Sequence, residues 1–210
     1  IDNELILNKV SMTTCLNPAE GWLIEADSVH LDAKSNRGKA RKVNIKVLDK
    51  TVLKLPVIPF ATSDERMTGF LEPSLSYSSD GIDFMIPYFK VLSDKSDITA
   101  AARNISERGA GIEGNYRRLH SSNKNLTNID FLYFSSDKEY RRLSQSSSDS
   151  RWAFSLKDKY KINDNIKVEI DWSKASDSLV LRDISGEITA IGSQRQQYLN
   201  QNISISGKYE

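Results

Sequence analysis

Apolar and polar residues alternate one by one along much of this 210-residue chain. The alternating stretches are residues 42–47, 82–88, 110–117, 128–133, 151–160, 166–173 and 199–209. A strand with one apolar and one polar face produces this period of two, whereas a helix needs apolar residues three and four positions apart. No window combines sustained helical spacing with capping residues. The sequence therefore predicts an all-β protein built from antiparallel strands.

Turn-forming residues separate these stretches. Asp80–Gly81 and Asn163–Asn165 are short enough for tight hairpins, whereas residues 121–125 and 144–150 are longer polar loops. Short turns that alternate with longer loops are typical of outer-membrane barrels, and they are also typical of sandwiches. The turns alone therefore leave both architectures open.

A change of pattern predicts a domain boundary near residue 60. Pro56 and Pro59 end an apolar run, and a charged loop at residues 63–66 and Gly69 follow it. Residues 1–60 carry short strands, as in a sandwich or jelly roll. Several stretches in residues 61–210 reach the roughly 9–11 residues that a tilted strand needs to cross a bilayer.

The composition excludes two kinds of protein. No run of 18 apolar residues occurs, so we expect no membrane-spanning helix. The chain has 29 basic and 28 acidic residues, a net charge of +1. This balance gives no general attraction to nucleic acid, and we expect no nucleic-acid partner.

Cys15 is the single cysteine of the sequence and lies in the polar stretch 11–18. These neighbours favour an exposed thiol that forms a disulfide, and its partner would then lie outside the 210 residues. The sequence starts at Ile1 without a methionine and stops at Glu210 within an alternating stretch. We therefore expect it to be a piece of a longer chain.

No set of residues predicts catalysis, a metal site or a cofactor. Residues 109–114 match G-x-G-x-x-G, but no apolar strand precedes them and no helix follows, so glycines within a strand explain the match better. His30 and His120 stand alone, without metal-ligand spacing or an adjacent nucleophile. A β-rich hydrolase therefore lacks a nucleophile and base, and we expect a protein that is not an enzyme.

Two prolines fall where the alternation predicts strands. Pro73 and Pro87 would lie in neighbouring strands joined by the turn at Asp80–Gly81. Proline has no N–H for a ladder hydrogen bond and is normally confined to edges or bulges. The pair predicts either a seam that is weak enough to open or an ordinary edge hairpin in a soluble sheet.

Several motifs together resemble the LptD family of lipopolysaccharide-assembly proteins. Gly69–Pro73 followed by Ile86–Phe89 is similar to the family's S-G-F-L-x-P and P-Y-F motifs. Thr13–Cys15 with Trp22 is similar to its T-T-C and nearby tryptophan. Further matches are Asp171–Asp177, similar to D-Y-x-x-x-S-D, and Tyr198–Gln201. The chain departs from the family at Val180–Leu181 and at Pro56–Ile58.

The resemblance implies an architecture and a transport function. Residues 1–60 would be the end of a periplasmic β-jelly roll, and residues 61–210 the first antiparallel strands of a large outer-membrane β-barrel. The protein would transport lipopolysaccharide and insert it into the outer leaflet. Its partners would be lipopolysaccharide, the lipoprotein LptE, the periplasmic bridge protein LptA and the outer-membrane bilayer.

The resemblance also implies roles for particular residues. Pro73, Pro87, Gly69 and Phe70 would form a lateral gate, and Cys15 would pair with a cysteine near the C-terminus of the longer chain. The alternative function is a soluble β-sandwich that binds a carbohydrate or a protein ligand. That alternative predicts apolar faces packed between sheets and solubility without detergent.

Overall fold

Strands dominate the fold. The computed structural model describes residues 4–63, 66–120, 126–144, 149–163, 165–191 and 198–207. The strands are β1 Glu4–Met12, β2 Trp22–Asp32, β3 Arg37–Val47, β4 Lys50–Ala61, β5 Gly69–Phe70, β6 Ser74–Ser78, β7 Gly81–Ser93, β8 Ser96–Ile105, β9 Gly109–Leu119, β10 Leu126–Phe134, β11 Arg151–Lys161, β12 Ile166–Ala175 and β13 Gln201–Gly207. Every strand pair with a described register is antiparallel, which confirms the all-β prediction.

The helical elements are short. A 3-10 turn spans Pro18–Glu20, α1 spans Lys138–Ser144 and α2 spans Val180–Asp183. Their brevity agrees with the weak helical periodicity of the sequence. No helix in the described ranges is long and apolar enough to cross a membrane.

The strands form two sheets. β1, β2, β3 and β4 pair in chain order. The second sheet has the order β13-β12-β11-β10-β9-β8-β7-β5, and β6 also pairs with β7. By internal contacts the chain divides into unit 1, Ile1–Leu75 with Tyr88–Lys90, and unit 2, Ser76–Pro87 with Val91–Glu210. The domain boundary near residue 60 stays a prediction.

The hairpins follow from local backbone chemistry. Leu48 and Asp49 join β3 to β4, and both have positive φ, 47° and 61°, as a two-residue turn of this kind requires. Gly81 ends the turn between β6 and β7 with a φ of 85°, a conformation that glycine adopts without strain. This confirms the turn predicted at Asp80–Gly81. The hairpin predicted at Asn163–Asn165 joins β11 to β12, although Asp164 lies outside the described residues.

Two other predicted loops are only partly described. Residues 121–125 lie outside the described ranges, and so do residues 145–148 of the predicted loop 144–150. Ser144 belongs to α1 and is not a loop residue.

Pro56 and Pro59 do not interrupt the chain as we predicted. β4 continues through both of them to Ala61. β4 is the edge of its sheet, so a residue without an N–H costs no ladder bond on the open side. In unit 1 the buried side chains come from one face of the sheet, with Trp22, Val43 and Ile45 almost fully enclosed.

Candidate functional site

The sheet of unit 2 has an apolar face. Ile112, Tyr133 and Trp152 lie side by side on neighbouring strands, and Phe131 is paired with Phe154 in the next row. The same face continues through residues paired across β11, β12 and β13: Leu156, Trp172, Ile170 and Ile203. Several of these side chains are open, since 49% of Ile112 and 66% of Ile203 remain exposed. A surface of this size and apolarity is unusual for a protein surrounded by water.

The opposite face of the same sheet buries charged and polar groups. Glu113, Asp130 and Arg151 have no exposed surface, and Arg103 and Ser173 are nearly as enclosed. Asn115 donates to the Asp130 carboxylate at 2.7 Å, and the Ser173 hydroxyl donates to Ser155 at 2.9 Å. Each buried group in these pairs has a hydrogen-bonding partner, as burial of polar groups requires.

A segment that follows β12 covers part of this polar face. We call residues 177–191 the inner segment. Val180 of α2 and Ile184, which follows α2, pack with Ile191 against the sheet residues Ile105, Leu132, Phe134 and Ala153. These contacts hold the segment by an apolar cluster on an otherwise polar surface, near the ends of β8 and β10.

Arg103 joins the inner segment to the sheet. Its guanidinium donates to both Asp83 oxygens at 2.9 and 2.5 Å, to Glu113, and to the Ser185 carbonyl at 2.7 Å. Glu113 in turn accepts the backbone N–H groups of Glu187 and Ile188 at 3.0 and 3.2 Å. Arg103 and Glu113 therefore pair with each other and also form hydrogen bonds with three backbone groups of the inner segment.

A second set of ion pairs lies at the end of the sheet that carries the β6–β7 turn. Arg108 pairs with Asp80 at 3.0 Å and with Asp137 at 2.9 Å. Arg151 pairs with the same Asp137 at 3.0 Å and lies over the Tyr140 ring, 4.3 Å from its centroid. One carboxylate thus joins the β8–β9 turn to the start of β11.

Arg151 also joins this end to the inner segment. It pairs with Asp177 at 2.7 Å and with Asp183 at 3.0 Å. Burial opposes ionisation of Asp177, but hydrogen bonds from Arg151, Ser176 and the Leu179 amide outweigh that cost and lower its pKa. Asp177 therefore remains a carboxylate in this setting.

Unit 1 contains an apolar cavity of about 340 Å³. One side of it is formed by β-sheet residues such as Val43, Ile45 and Ile58. The other part of its lining comes from residues 70–73, of which Glu72 is the charged member. A cavity with such walls accepts hydrocarbon and excludes charged groups.

The residues predicted to form a gate lie at one edge of the second sheet. Gly69 and Phe70 make up all of β5 and pair with Phe89 and Tyr88. The rings of Phe70 and Tyr88 meet edge to face, with centroids 5.0 Å apart. A Cβ added to Gly69 would lie 2.7 Å from the Pro59 carbonyl oxygen, so glycine is required for this approach.

The two gate prolines have different settings. Pro87 lies within β7 and is buried, as predicted for a strand residue. Pro73 is also buried, but it lies between β5 and β6, so its predicted place inside a strand is wrong. The physical reason is that ladder pairing stops after Phe70 and resumes only at Ser74, so Pro73 lies in the unpaired link between the two strands.

Cys15 lies in the loop between β1 and β2 and is partly exposed, with a free thiol in this structure. Thr13 closes the loop by donating to the Trp22 carbonyl at 2.5 Å. Gly21 faces the cysteine so closely that an added Cβ would lie 2.4 Å from its Sγ. The predicted disulfide of Cys15 stays a prediction.

The G-x-G-x-x-G match belongs to β9, as predicted for strand glycines. The Phe134 and Phe131 rings cover Gly111 and Gly114, and a Cβ at either glycine would meet a ring. His30 lies in β2, and His120 shares its Nε2 with Thr127 and Asp158 at 2.7 and 3.2 Å. Among the described residues, no three His, Cys, Asp or Glu side chains form a metal-binding group.

The buried ion pairs and the inner segment were not predicted from the sequence. Glu113 and Arg151 were visible as polar members of alternating stretches, so the available signal was a charged residue on the polar face of a predicted strand. Nothing in the sequence indicates which acid pairs with which arginine, because Asp83, Asp137 and Asp183 come from distant parts of the chain.

The chain is similar to proteins named LPS-assembly protein LptD. The relative from Legionella pneumophila (strain Paris) is 28% identical over 206 residues, covering 93% of this chain and 24% of the relative. The relative from Pseudomonas entomophila (strain L48) is 29% identical, with 98% of this chain and 22% of the relative covered. The relative from Ectopseudomonas mendocina (strain ymp) is 30% identical, with 92% and 20% covered.

These matches confirm the resemblance predicted from the motifs. The chain spans about a fifth to a quarter of the length of the curated relatives it matches. No protein-family model matches it.

Proposed function

We propose that this chain belongs to a protein of the outer membrane that transports lipopolysaccharide and inserts it into the outer leaflet. Residues 61–210 would supply the first strands of a transmembrane β-barrel, and residues 1–60 would supply the end of a periplasmic β-jelly roll. The observation that carries the proposal is the two-faced sheet of unit 2. In a transmembrane barrel, every strand presents apolar residues to lipid and polar residues to the lumen.

The cavity of unit 1 supports the first step of this transport. Lipopolysaccharide has acyl chains that need an apolar path and a phosphorylated sugar head that needs a polar one. The aliphatic walls around Val43, Ile45 and Ile58 suit the acyl chains. The polar face of the unit 2 sheet suits the polar head, which would otherwise have to cross hydrocarbon at a large cost.

The edge of the second sheet supports lateral release. β5 has two residues and β6 has five, so few ladder bonds hold this edge. Pro87 removes one further N–H within β7, and each missing bond lowers stability by roughly 0.5–1.5 kcal/mol. We propose that Gly69, Phe70, Pro73 and Pro87 form a gate through which lipopolysaccharide leaves sideways.

The remaining parts of the proposal concern partners. LptA would deliver lipopolysaccharide to unit 1, and LptE would occupy the completed barrel. Cys15 would form a disulfide with a cysteine outside these residues, since the oxidising periplasm permits such bonds. Similarity to proteins named for LPS assembly supports this transport role, which requires no catalytic group.

The gate is tested by restoring the missing donors in the full-length protein. We expect Pro73→Val with Pro87→Val to slow the arrival of lipopolysaccharide at the cell surface, because a stronger edge opens less often. Most of the effect should come from Pro87, the proline inside a strand. Pro56→Val in edge strand β4 is the matched control and should leave export unchanged. Normal surface lipopolysaccharide in the double variant would reject the gate.

The alternative of a soluble sandwich has its own test. A soluble binding module stays monodisperse without detergent, because its apolar faces pack against each other. The proposed membrane protein aggregates under the same conditions. Size-exclusion chromatography of the full-length protein with and without detergent separates the two.

A further inference from the structure

A cavity of about 490 Å³ lies at the end of the unit 2 sheet opposite the Asp80 turn. It forms where the β7–β8 turn meets the end of β9. Its polar lining includes the hydroxyls of Ser93 and Ser96 and the basic side chains of Lys95 and Arg118. Neither the proposed gate nor the buried ion pairs involve these residues.

Backbone pairing builds the cavity. Ser96 is paired with Arg118 in the β8–β9 register, and the Leu119 N–H donates to the Lys95 carbonyl at 2.7 Å. The Ser93 and Ser96 hydroxyls lie 2.7 Å apart, and the Lys95 N–H donates to Ser93 at 3.3 Å. The two basic side chains are therefore carried by a hydrogen-bonded turn and a strand end.

Lys95 and Arg118 have a different setting from the neighbouring Arg117. Arg117 points to the polar face and pairs with Asp97 at 2.8 Å. Arg118, its neighbour, points to the apolar face and is exposed. Within the described ranges, no carboxylate forms an ion pair with Arg118 or Lys95. Asp94 also lines the cavity, so the lining carries two basic side chains, Lys95 and Arg118, and one acidic side chain.

The cavity opens onto the apolar face. Tyr116 lines it and is paired with Ile98 on one side and Ile129 on the other. A ligand that fits has a negative head at Arg118 and hydrocarbon beyond Tyr116. We propose that Lys95 and Arg118 bind the phosphodiester of an anionic membrane phospholipid, whose acyl chains lie along the apolar face.

This inference rests on the proposed function, because it places the apolar face in a bilayer. Antiparallel pairing puts the β7–β8 turn at the end of the sheet where β6 begins. Residues before β6 are periplasmic in that proposal, so this end meets the inner leaflet, which consists of phospholipid. Basic groups near an anionic lipid surface strengthen binding, each by a modest amount.

The test uses the full-length protein in nanodiscs of phosphatidylcholine mixed with phosphatidylglycerol. Native mass spectrometry counts the phosphatidylglycerol molecules that stay bound after the protein is released from the nanodisc. We expect Lys95→Gln with Arg118→Gln to reduce retention about tenfold, since two attractive charges are lost. Lys138→Gln with Lys174→Gln removes two exposed charges toward the other end of the sheet and should retain the lipid. Lys95→Arg with Arg118→Lys should also retain it.

Each outcome decides the inference. Equal retention by the protein and the double glutamine variant overturns it. Inorganic phosphate that binds as well in pure phosphatidylcholine nanodiscs, without any preference for phosphatidylglycerol, identifies a site for free anions and also overturns it. A protein that enters the bilayer but shows no lipid preference refutes this inference alone. A protein that cannot enter the bilayer refutes the proposed function together with it.

Discussion

Unit 1 and unit 2 use the same alternation of residues in opposite ways. In unit 1 the apolar face of the β1–β4 sheet is buried, with Val43 fully enclosed, and the polar face carries exposed pairs such as Lys42 with Asp27. In unit 2 the polar face is buried around Arg103, Glu113 and Arg151, and the apolar face is open. A period of two therefore predicts a strand but not the environment of either face.

The difference lies in how each buried face is stabilised. Burial of Val43 and Ile45 is favourable by itself, because apolar surface leaves water. Burial of Arg151 would be costly alone, and it is possible because three aspartates surround it. Unit 2 therefore depends on exact pairing, whereas unit 1 depends on shape and volume.

The loss of one arginine should distinguish the two kinds of ion pair. Arg151→Met leaves Asp137, Asp177 and Asp183 without their common partner, and we expect a loss of roughly 3–5 kcal/mol in unfolding free energy. Lys46→Met breaks the Lys46–Glu25 pair on the polar face of unit 1, and there we expect a much smaller loss because the pair is open to solvent. Urea unfolding of the full-length protein measures both values. Similar losses would mean that the unit 2 network is not energetically special.

A charge on the apolar face of unit 2 should be costly in a bilayer. Ile129 lies near the middle of β10, and Ile129→Lys should destabilise the folded protein in lipid by roughly 2–4 kcal/mol. Thr99→Lys introduces the same charge on the polar face of β8 and should be close to neutral. Unfolding in lipid vesicles compares the two variants. If both lysines have the same effect, the apolar face is not in hydrocarbon.

Acid should weaken the attachment of the inner segment. Because the folded protein lowers the pKa of Asp177, this carboxylate stabilises the fold above its unfolded pKa. That stability is lost as the pH falls below about 4 and through the lower folded value. We expect Asp177→Asn to be less stable at neutral pH, by about 1 kcal/mol.

The difference in stability between the wild type and Asp177→Asn should depend on pH. Urea midpoints measured from neutral to acidic pH should show the gap between the wild type and Asp177→Asn closing as the carboxylate is protonated. A constant gap would indicate that Asp177 stabilises the inner segment without its charge.

Much of the strand structure followed from local signals, and the exceptions concern three prolines, Pro56, Pro59 and Pro73. The hairpin at Asp80–Gly81 and the strand through Gly109–Gly114 were predicted correctly, since each depends on neighbouring residues. Pro73 was wrongly placed in a strand because the alternation of residues continues through the unpaired link between β5 and β6. β4 continued through Pro56 and Pro59 because it is an edge strand. The sequence of a strand does not indicate its position within the sheet.

Some residues of the proposed site were identified from the sequence, and others only from the structure. Gly69, Phe70 and Pro87 were identified from motifs, and their place at a poorly paired edge agrees with the role proposed for them. The Arg103–Glu113 pair and its contact with the inner segment were not identified. Arg103 meets the Ser185 carbonyl, which lies 82 positions further along the chain. The basic cavity at Lys95 and Arg118 likewise depends on a register between two strands.

The order of residues determined that this chain forms strands, that two of the hairpins turn at Asp80–Gly81 and Asn163–Asn165, and that many of the strands have one apolar and one polar face. These properties depend on side-chain period and on φ preferences, which act over a few residues. The buried face of each sheet and the pairing of each arginine with its acids depend on the three-dimensional fold. Burial and pairing are properties of what lies across the sheet, and distant segments such as 177–191 supply it.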